Sequence, residues 1–263
     1  MNLLEAIVLG LIQGLTEFLP VSSSGHLELG KYLFGIDHEA NFYFSIAVHG
    51  ATVLSTLFVL WKEIAGLVKG FFTFKLNNET RYIIKLFISM IPVGIAGLFM
   101  TEIAEKYFAG NMISLSIEFF ISALFLGLTL LIKPKEREMT YFDSFIIGIA
   151  QALAVLPGIS RSGATISTGM MLGNKKSDIA KFSFLMVLIP IIGANFLELI
   201  SGDFTKEGTS VIVILAGFIT AFISGYLACR WMISIVKKGS LKWFALYCVL
   251  VGIYSLLLGL HVF

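Results

Sequence analysis

A short polar segment near the start of the chain carries the residue types that could move a proton or attack an electrophile. The segment reads QGLTEFLPVSSSGHL, and its reactive side chains are Gln13, Glu17, Ser22, Ser23, Ser24 and His26. Gln13 and Glu17 are four residues apart, so on a helix they lie on one face. A serine hydroxyl close to an imidazole and a carboxylate is a set that can form an activated nucleophile.

A second polar segment carries a cation instead of a carboxylate. It reads LPGISRSGAT, and its turn and polar residues are Gly158, Ser160, Arg161, Ser162 and Thr165. A serine-rich turn followed by a helix start presents free backbone N–H groups and the positive end of the helix dipole, so both segments are suited to an anion. The planar guanidinium of Arg161 adds a fork that matches phosphate oxygens. Together the two segments predict a site for a phosphate-bearing ligand.

Amino-acid composition places both segments in a membrane protein. Of the 263 residues, 57% are hydrophobic and 14% are charged, and the mean hydropathy is +0.90, whereas soluble domains carry about 25% charged residues. The net charge is +2, and no basic segment is interleaved with aromatic residues, so nucleic acid is excluded as a partner. Cys229 and Cys248 lie in separate apolar stretches and show no redox or metal motif.

The hydrophobic pattern predicts an all-α polytopic protein. Six apolar stretches have the length of a transmembrane helix, at about 41–61, 82–100, 112–132, 179–200, 210–229 and 241–262. Two more, at about 2–36 and 142–173, are interrupted by the polar segments. Irregular backbone at membrane depth survives only where protein or a polar cavity satisfies its N–H and C=O groups. Each interrupted stretch is therefore predicted to be a re-entrant helix pair.

An internal repeat relates the two halves of the chain. An offset of 138 residues superposes Gln13 on Gln151 and Ser22 on Ser160. Each half then holds a re-entrant pair and three spans, and because three is odd, the halves must have inverted topology. The prediction is a single transmembrane domain, 1–263, with a first repeat at 1–132 and a second at 142–263.

Loop charge predicts which side each loop faces. Lysine and arginine are concentrated in the loops 62–81, 133–141, 174–181 and 230–240, which are therefore expected to be cytoplasmic. The loops 101–111 and 201–209 hold one lysine each and are expected outside. These assignments hold together only if residues 142–173 return to the side from which they entered. Both termini are then predicted outside.

Two hairpins that enter from opposite faces would meet near the middle of the bilayer, where inverted-repeat proteins place substrate sites. A charged side chain such as Glu17 or Arg161 costs about 2.5–3.5 kcal/mol there on insertion scales. Each therefore needs a partner or a function. A purely structural ion pair between the halves is the simpler alternative, but it leaves the surrounding serines unexplained.

The two polar segments resemble the signature regions of the undecaprenyl-diphosphate phosphatase family, the bacitracin-resistance type. Gln13 and Glu17 match its [E/Q]xxxE pattern, and residues 157–165 match its PGxSRSxxT pattern. The resemblance covers essentially the whole chain. It implies an enzyme of the bacterial plasma (inner) membrane that removes the terminal phosphate of a polyprenyl diphosphate, giving the monophosphate carrier reused in cell-wall synthesis, usually with Mg²⁺ or Ca²⁺.

On this interpretation the candidate site residues fall into three groups. The catalytic residues are Glu17, Ser23, His26 and Arg161, the metal ligands are Glu17 and Gln13, and the substrate-binding residues are Ser22, Ser24, Gly158, Ser160, Ser162 and Thr165. Many members of the family have glutamate at the position of Gln13. The glutamine leaves one carboxylate near the metal instead of two.

Two questions stay open at the level of sequence. Ser23 activated by His26 would give a covalent mechanism, whereas water activated by His26 would give a direct one. An inverted-repeat transporter or flippase for a lipid phosphate or small anion is the alternative function. A carrier needs anion binding but no proton shuttle, so His26 beside the serines favours the enzyme. The oligomeric state is open, with a homodimer as one option.

Overall fold

The computed structural model describes residues 1–36, 42–108, 111–132, 135–156, 158–201, 210–238 and 241–260, apart from the side chains of 42, 100–108, 194 and 198–201. Within these ranges the chain is helical and contains no β-strand. Its helices are α1 (Leu3–Phe18), α2 (Ser23–Phe34), α3 (Phe42–Val59), α4 (Trp61–Phe71), α5 (Asn78–Phe108), α6 (Met112–Leu128), α7 (Tyr141–Leu153), α8 (Arg161–Met171), α9 (Lys176–Met186), α10 (Leu188–Ser201), α11 (Val211–Lys238) and α12 (Lys242–Gly259). A short 3-10 helix, Thr129–Leu131, continues α6.

Helices α1 and α2 form the first hairpin. The side chain of Asn2 accepts a hydrogen bond from the Glu5 N–H at 2.9 Å, and the Glu5 carboxylate accepts one from the Asn2 N–H at 2.7 Å, a capping box that fixes the start of α1. Helix α2 runs back along α1, since a Cβ added to Gly30 would lie 2.9 Å from Leu9 Cδ2 and 3.6 Å from Ile12 Cδ1. The first interrupted stretch therefore leaves at the end where it entered, as its prediction requires.

Helices α7 and α8 form the second hairpin, and their outer ends are joined directly. The N–H of Arg137, before α7, donates to the carbonyl of Gly173, after α8, and the N–H of Lys175 donates to the carbonyl of Arg137, both at 3.0 Å. The Arg137 guanidinium also forms a two-bonded ion pair with Asp143, with both N–O distances 2.7 Å. Residues 142–173 thus return to the end from which they came, as the loop charges required.

The predicted transmembrane helices are present. Five helical segments in the described ranges are long and apolar enough to cross a membrane: Asn78–Phe99, Met112–Leu131, Lys176–Leu197, Val211–Lys238 and Lys242–Gly259. The helix α3 supplies a sixth when the bent pair α3–α4 is taken as one span. The chain is accordingly a multi-pass membrane protein, and its predicted number of spans agrees with the structure.

The structure adds one helix that the sequence analysis placed in a loop. Helix α4 lies within the predicted loop 62–81 except for its first residue, Trp61, which was assigned to the span before it. The helix follows α3 at an angle of 72° and has no buried residue. Trp61, its first residue, and Phe72, just after its last, are both exposed. Lys62 and Lys69 are interspersed among its apolar residues. Such a mixture is typical of a helix that lies along a membrane surface. The apolar stretch alone did not predict it, because its apolar residues are interrupted by charges.

Contacts between loops bring the starts of α4, α5, α7 and α9 to one end of the molecule. Lys181 forms an ion pair with Glu63, and Lys175 forms one with Glu138 at 3.4 Å. The ammonium of Lys85 lies 5.6 Å from the centre of the Tyr141 ring. These contacts bring three of the four lysine-rich loops to one end. Of the predicted outer loops, residues 202–209 lie outside the described residues, whereas residues 101–108 form the last turns of α5.

The packing is compatible with an inverted repeat. Gly10 of α1 lies against α11, and a Cβ added to it would be 2.4 Å from the Gly217 carbonyl oxygen. Gly148, its counterpart at the repeat offset, lies against α5, where a Cβ would be 2.3 Å from the Ser89 carbonyl oxygen. Equivalent glycines thus allow equivalent helices to approach a span of the other half. The repeat boundaries themselves stay a prediction.

Cysteine labelling tests the arrangement of the two ends. We expect a cysteine at Lys175 to react with an impermeant thiol reagent only from the cytoplasmic side, and one at Ser210 only from the opposite side. The native Cys229 and Cys248 are fully buried, so the background should be low. Labelling of both introduced cysteines from the same side would contradict the topology.

Candidate active site

The tips of the two hairpins meet inside the protein. The Gly158 N–H donates to Ser24 Oγ at 3.0 Å, and the Ser162 hydroxyl donates to the Leu19 carbonyl at 3.1 Å. Residues more than 130 positions apart in the chain are therefore in direct contact, as the model of two converging hairpins requires. All the predicted site residues lie in the described ranges.

Glu17 is the centre of this junction. One carboxylate oxygen, Oε1, forms an ion pair with the Arg161 guanidinium. The other, Oε2, accepts hydrogen bonds from Ser23 Oγ at 2.6 Å and from Gln13 Nε2 at 2.9 Å. The Glu17 side chain is 6% exposed and that of Arg161 is 28% exposed. The guanidinium balances the charge of the buried carboxylate. Arg161 also lines a pocket next to this ion pair.

Serine caps begin the second helix of each hairpin. Ser22 Oγ accepts from the Gly25 N–H at 3.1 Å, and Ser160 Oγ accepts from the Gly163 N–H at 3.0 Å. An N-cap satisfies only one of the N–H groups that a helix start leaves free, so the positive helix ends still favour an anion. Ser22 has φ +70°, which costs about 1–3 kcal/mol for a residue with a side chain. This conformation sets the direction in which the chain enters α2.

His26 is held by partners other than Ser23. Its Nδ1 is 2.7 Å from the Ser22 carbonyl oxygen, and its Nε2 is 2.8 Å from the hydroxyl of Tyr247 on α12. The structure instead brings Ser23 to Glu17. Sequence analysis did not identify Tyr247, because it lies in an apolar span without a polar motif around it.

Two of the predicted substrate-binding residues hold the hairpins in place. The Thr165 hydroxyl is 2.6 Å from that of Ser183 on α9. Gly158 has φ +89°, and a Cβ added to it would lie 1.7 Å from an oxygen of Glu118. A side chain at this position would therefore push the turn away from α6 and weaken its bond to Ser24.

A pocket beside the ion pair is lined by both polar and apolar side chains. The polar ones are Glu17, Thr52, Thr56, Arg161, Ser162 and Ser183, and the apolar ones are Phe18, Val53, Phe184, Val187, Leu188 and Ile191. The threonines and Ser183 were not predicted, since the motifs do not include them. The combination is suited to an amphiphile with a charged head and an apolar tail.

The predicted metal ligands, Gln13 and Glu17, are adjacent. Gln13 is fully buried, and its Oε1 has no hydrogen-bond partner among the described residues. An orphaned oxygen next to a carboxylate fits a hard cation such as Mg²⁺ or Ca²⁺. The described residues contain no group of three or more histidine, cysteine, aspartate or glutamate side chains that could hold a metal ion. The cation would therefore need oxygen ligands from a bound phosphate.

Comparison with known proteins gives consistent matches over the whole chain. The family model described as "Bacitracin resistance protein BacA" matches residues 6–254. A protein of Bacteroides fragilis named undecaprenyl-diphosphatase is 50% identical over 263 residues, which cover 98% of this chain and 99% of the relative. Proteins with the same name are 48% identical in Christiangramia forsetii, covering 98% of both chains, and 39% identical in Methanococcus vannielii, covering 95% of this chain and 98% of the relative.

Proposed function

Because this chain belongs to the bacitracin resistance protein BacA family, we propose that it hydrolyses undecaprenyl diphosphate to undecaprenyl phosphate and inorganic phosphate. The observation that carries the proposal is the contact of Glu17 with both Ser23 and Arg161 where the hairpins meet. The reaction returns the lipid carrier to cell-wall synthesis in the bacterial plasma membrane, and it confers resistance to bacitracin.

The mixed polar and apolar lining of the pocket suits such a lipid. A lipid tail gains about 0.8 kcal/mol for each buried CH₂, so a long polyprenyl chain stays in the membrane and the active site has to lie there too. The diphosphate would bind at Arg161 and the helix starts, with the first part of the tail against Val187 and Leu188. Both halves of the site come from one chain, so the proposal does not depend on whether the protein is a homodimer.

We infer a covalent mechanism from the position of Ser23. Its hydroxyl already donates to Glu17 Oε2, so the carboxylate can take the proton as Ser23 Oγ bonds to the terminal phosphorus. The bond from this phosphorus to the bridging oxygen breaks, and the lipid monophosphate leaves with the electron pair. Water then attacks the phosphorus of the phosphoserine, the bond from Ser23 Oγ to phosphorus breaks, Ser23 takes back the proton from Glu17, and inorganic phosphate leaves. Arg161 stabilises the charge on the transferred phosphoryl group.

His26 is then placed to act on water. In the covalent mechanism, this is the water that hydrolyses the phosphoserine. In the direct alternative, water activated by His26 attacks the substrate itself and Ser23 only binds it. In either mechanism, the hydrogen bond between Nε2 and the Tyr247 hydroxyl has to break before Nε2 can take a proton from water.

Gln13 and Glu17 are the residues that would hold a divalent cation. When bound there, Mg²⁺ or Ca²⁺ would supply positive charge against the diphosphate oxygens. With one carboxylate in the pair, the protein's own contribution to cation affinity is small, and the substrate's oxygens would complete the coordination.

Gln13→Glu tests this assignment. A second carboxylate should strengthen cation binding, so we expect the Mg²⁺ concentration for half-maximal phosphate release to fall about tenfold. Gln13→Met, which removes the oxygen but keeps the length of the side chain, should raise that concentration. Direct titration of Mg²⁺ into each variant by calorimetry, with the diphosphate present, provides a measure independent of turnover. Identical Mg²⁺ dependence in all three proteins would contradict the ligand role.

Phosphate release by the purified protein in detergent, from undecaprenyl diphosphate with and without EDTA, tests the function itself. We expect one inorganic phosphate per lipid and strong inhibition by EDTA. The transporter alternative predicts no release, together with movement of the lipid between leaflets of vesicles that contain the protein. That combined result would contradict the enzyme.

A further inference from the structure

The surroundings of His26 assign a role to a tyrosine outside both polar segments. We propose that Tyr247 is a positioning residue that holds the ring plane of His26 and engages the lone pair of its Nε2, so that Nε2 is the atom that exchanges protons. This inference rests on the proposed function for its kinetic consequence, but the tautomer can be measured without turnover.

The hydrogen bond to Ser22 decides the tautomer. A backbone carbonyl oxygen can only accept, so at 2.7 Å from the Ser22 oxygen the Nδ1 of His26 carries a hydrogen. In a neutral imidazole the other nitrogen then has a lone pair. The hydroxyl of Tyr247, 2.8 Å away, donates its hydrogen to this lone pair.

Two aromatic rings fix the plane of the imidazole. The Tyr247 ring lies nearly parallel to it, with centroids 5.5 Å apart and planes inclined by 6°, and the Phe119 ring meets it edge-on at 5.1 Å. His26 is only 9% exposed. A flipped imidazole would place carbon atoms at the positions of both nitrogens and lose both hydrogen bonds, so this environment selects one orientation.

A tyrosine hydroxyl suits a histidine that changes its protonation state. When Nε2 is unprotonated the hydroxyl donates to it, and when Nε2 has gained a proton the same oxygen accepts from it. The contact can therefore form again in either protonation state, after Nε2 has exchanged its proton. A side chain that can only donate, or that is apolar, would lose the bond in at least one state.

Tyr247→Phe removes the hydroxyl and keeps the aromatic ring beside the imidazole. We expect kcat to fall about tenfold, as for the loss of one hydrogen bond to a buried group, with KM changed by less than about twofold. The matched control is Tyr254→Phe, because Tyr254 lies on the same helix and is 40% exposed. It should leave both constants unchanged.

Nitrogen NMR of protein with ¹⁵N-labelled histidine measures the tautomer directly. The chain has four histidines, and the His26 signal is identified by its loss in His26→Gln. We expect the wild type to show protonated Nδ1 and unprotonated Nε2, and Tyr247→Phe to keep this tautomer with the Nε2 resonance shifted by loss of the hydrogen bond from the hydroxyl. Spectra that are the same in both proteins, or a variant that changes KM alone, would overturn the proposal. Absence of phosphate release by the wild type would contradict the proposed function instead, while the spectra would still decide how His26 is positioned.

Discussion

Arg161→Lys is expected to reduce turnover about 10²–10³-fold, although the positive charge is kept. In the structure Arg161 already bonds to Glu17, so it has to hold the carboxylate and the phosphate at the same time. The planar guanidinium has five N–H donors in a fixed fork and can do both, whereas an ammonium is a single point charge. Loss of one donor to the developing charge in the transition state accounts for the expected effect.

Lysine is preferred to alanine here because it separates catalysis from folding. Removing the charge altogether would leave Glu17 buried and uncompensated, which typically costs about 3–5 kcal/mol. The matched control is Arg230→Lys, since Arg230 is exposed on α11 and contacts only Tyr226 among its described partners. Rates are measured in single turnover, with thermal stability in detergent as the check on folding. Turnover by Arg161→Lys close to that of the wild type would contradict the role of Arg161 as a phosphate clamp.

The sequence was sufficient to predict the architecture because the bilayer restricts the choices. Long apolar stretches are nearly always spans, and an interruption such as LPGISRSG is tolerated only where its backbone is satisfied. Loop charge then required residues 142–173 to return, and the hydrogen bonds between Arg137, Gly173 and Lys175 show that they do. Helix α4 was not predicted, because the search used mean hydropathy, whereas an amphipathic surface helix is recognised by the periodicity of its apolar residues.

The same reasoning was less complete at the site, because partners there are set by tertiary contacts. The spacing of Ser23 and His26 predicts neighbours on one helical turn. In the structure Ser23 is the first residue of α2, and the turn through Ser22 directs its hydroxyl back to Glu17 on α1. No spacing rule contains the +70° φ of Ser22, and none connects His26 to a tyrosine 221 residues later.

Ser23→Ala is expected to reduce hydrolysis at least about 10³-fold while leaving the diphosphate lipid bound, because the alanine removes the nucleophile but not Arg161 or the helix starts. A ³²P label at the terminal phosphate should appear as phosphoserine after rapid quench of the wild type and be absent from the variant.

His26→Ala should slow the second step, hydrolysis of the phosphoserine, so labelled phosphoserine should accumulate in this variant. In the double variant, activity should be barely lower than in Ser23→Ala alone, since residues that act in one pathway are not additive.

These outcomes separate the covalent mechanism from the direct one. The matched control is Ser210→Ala, since Ser210 is an exposed serine at the start of α11 and its loss should leave hydrolysis unchanged. Direct attack by water predicts that Ser23→Ala keeps substantial turnover and that His26→Ala does not. It also predicts that the wild type and both variants yield no phosphoserine at any quench time. The hydrogen bond of Ser23 to Glu17 would then only hold the carboxylate in place. Substantial single-turnover hydrolysis by Ser23→Ala is therefore the result that would rule out the covalent mechanism, whereas trapped phosphoserine in His26→Ala would rule out the direct one.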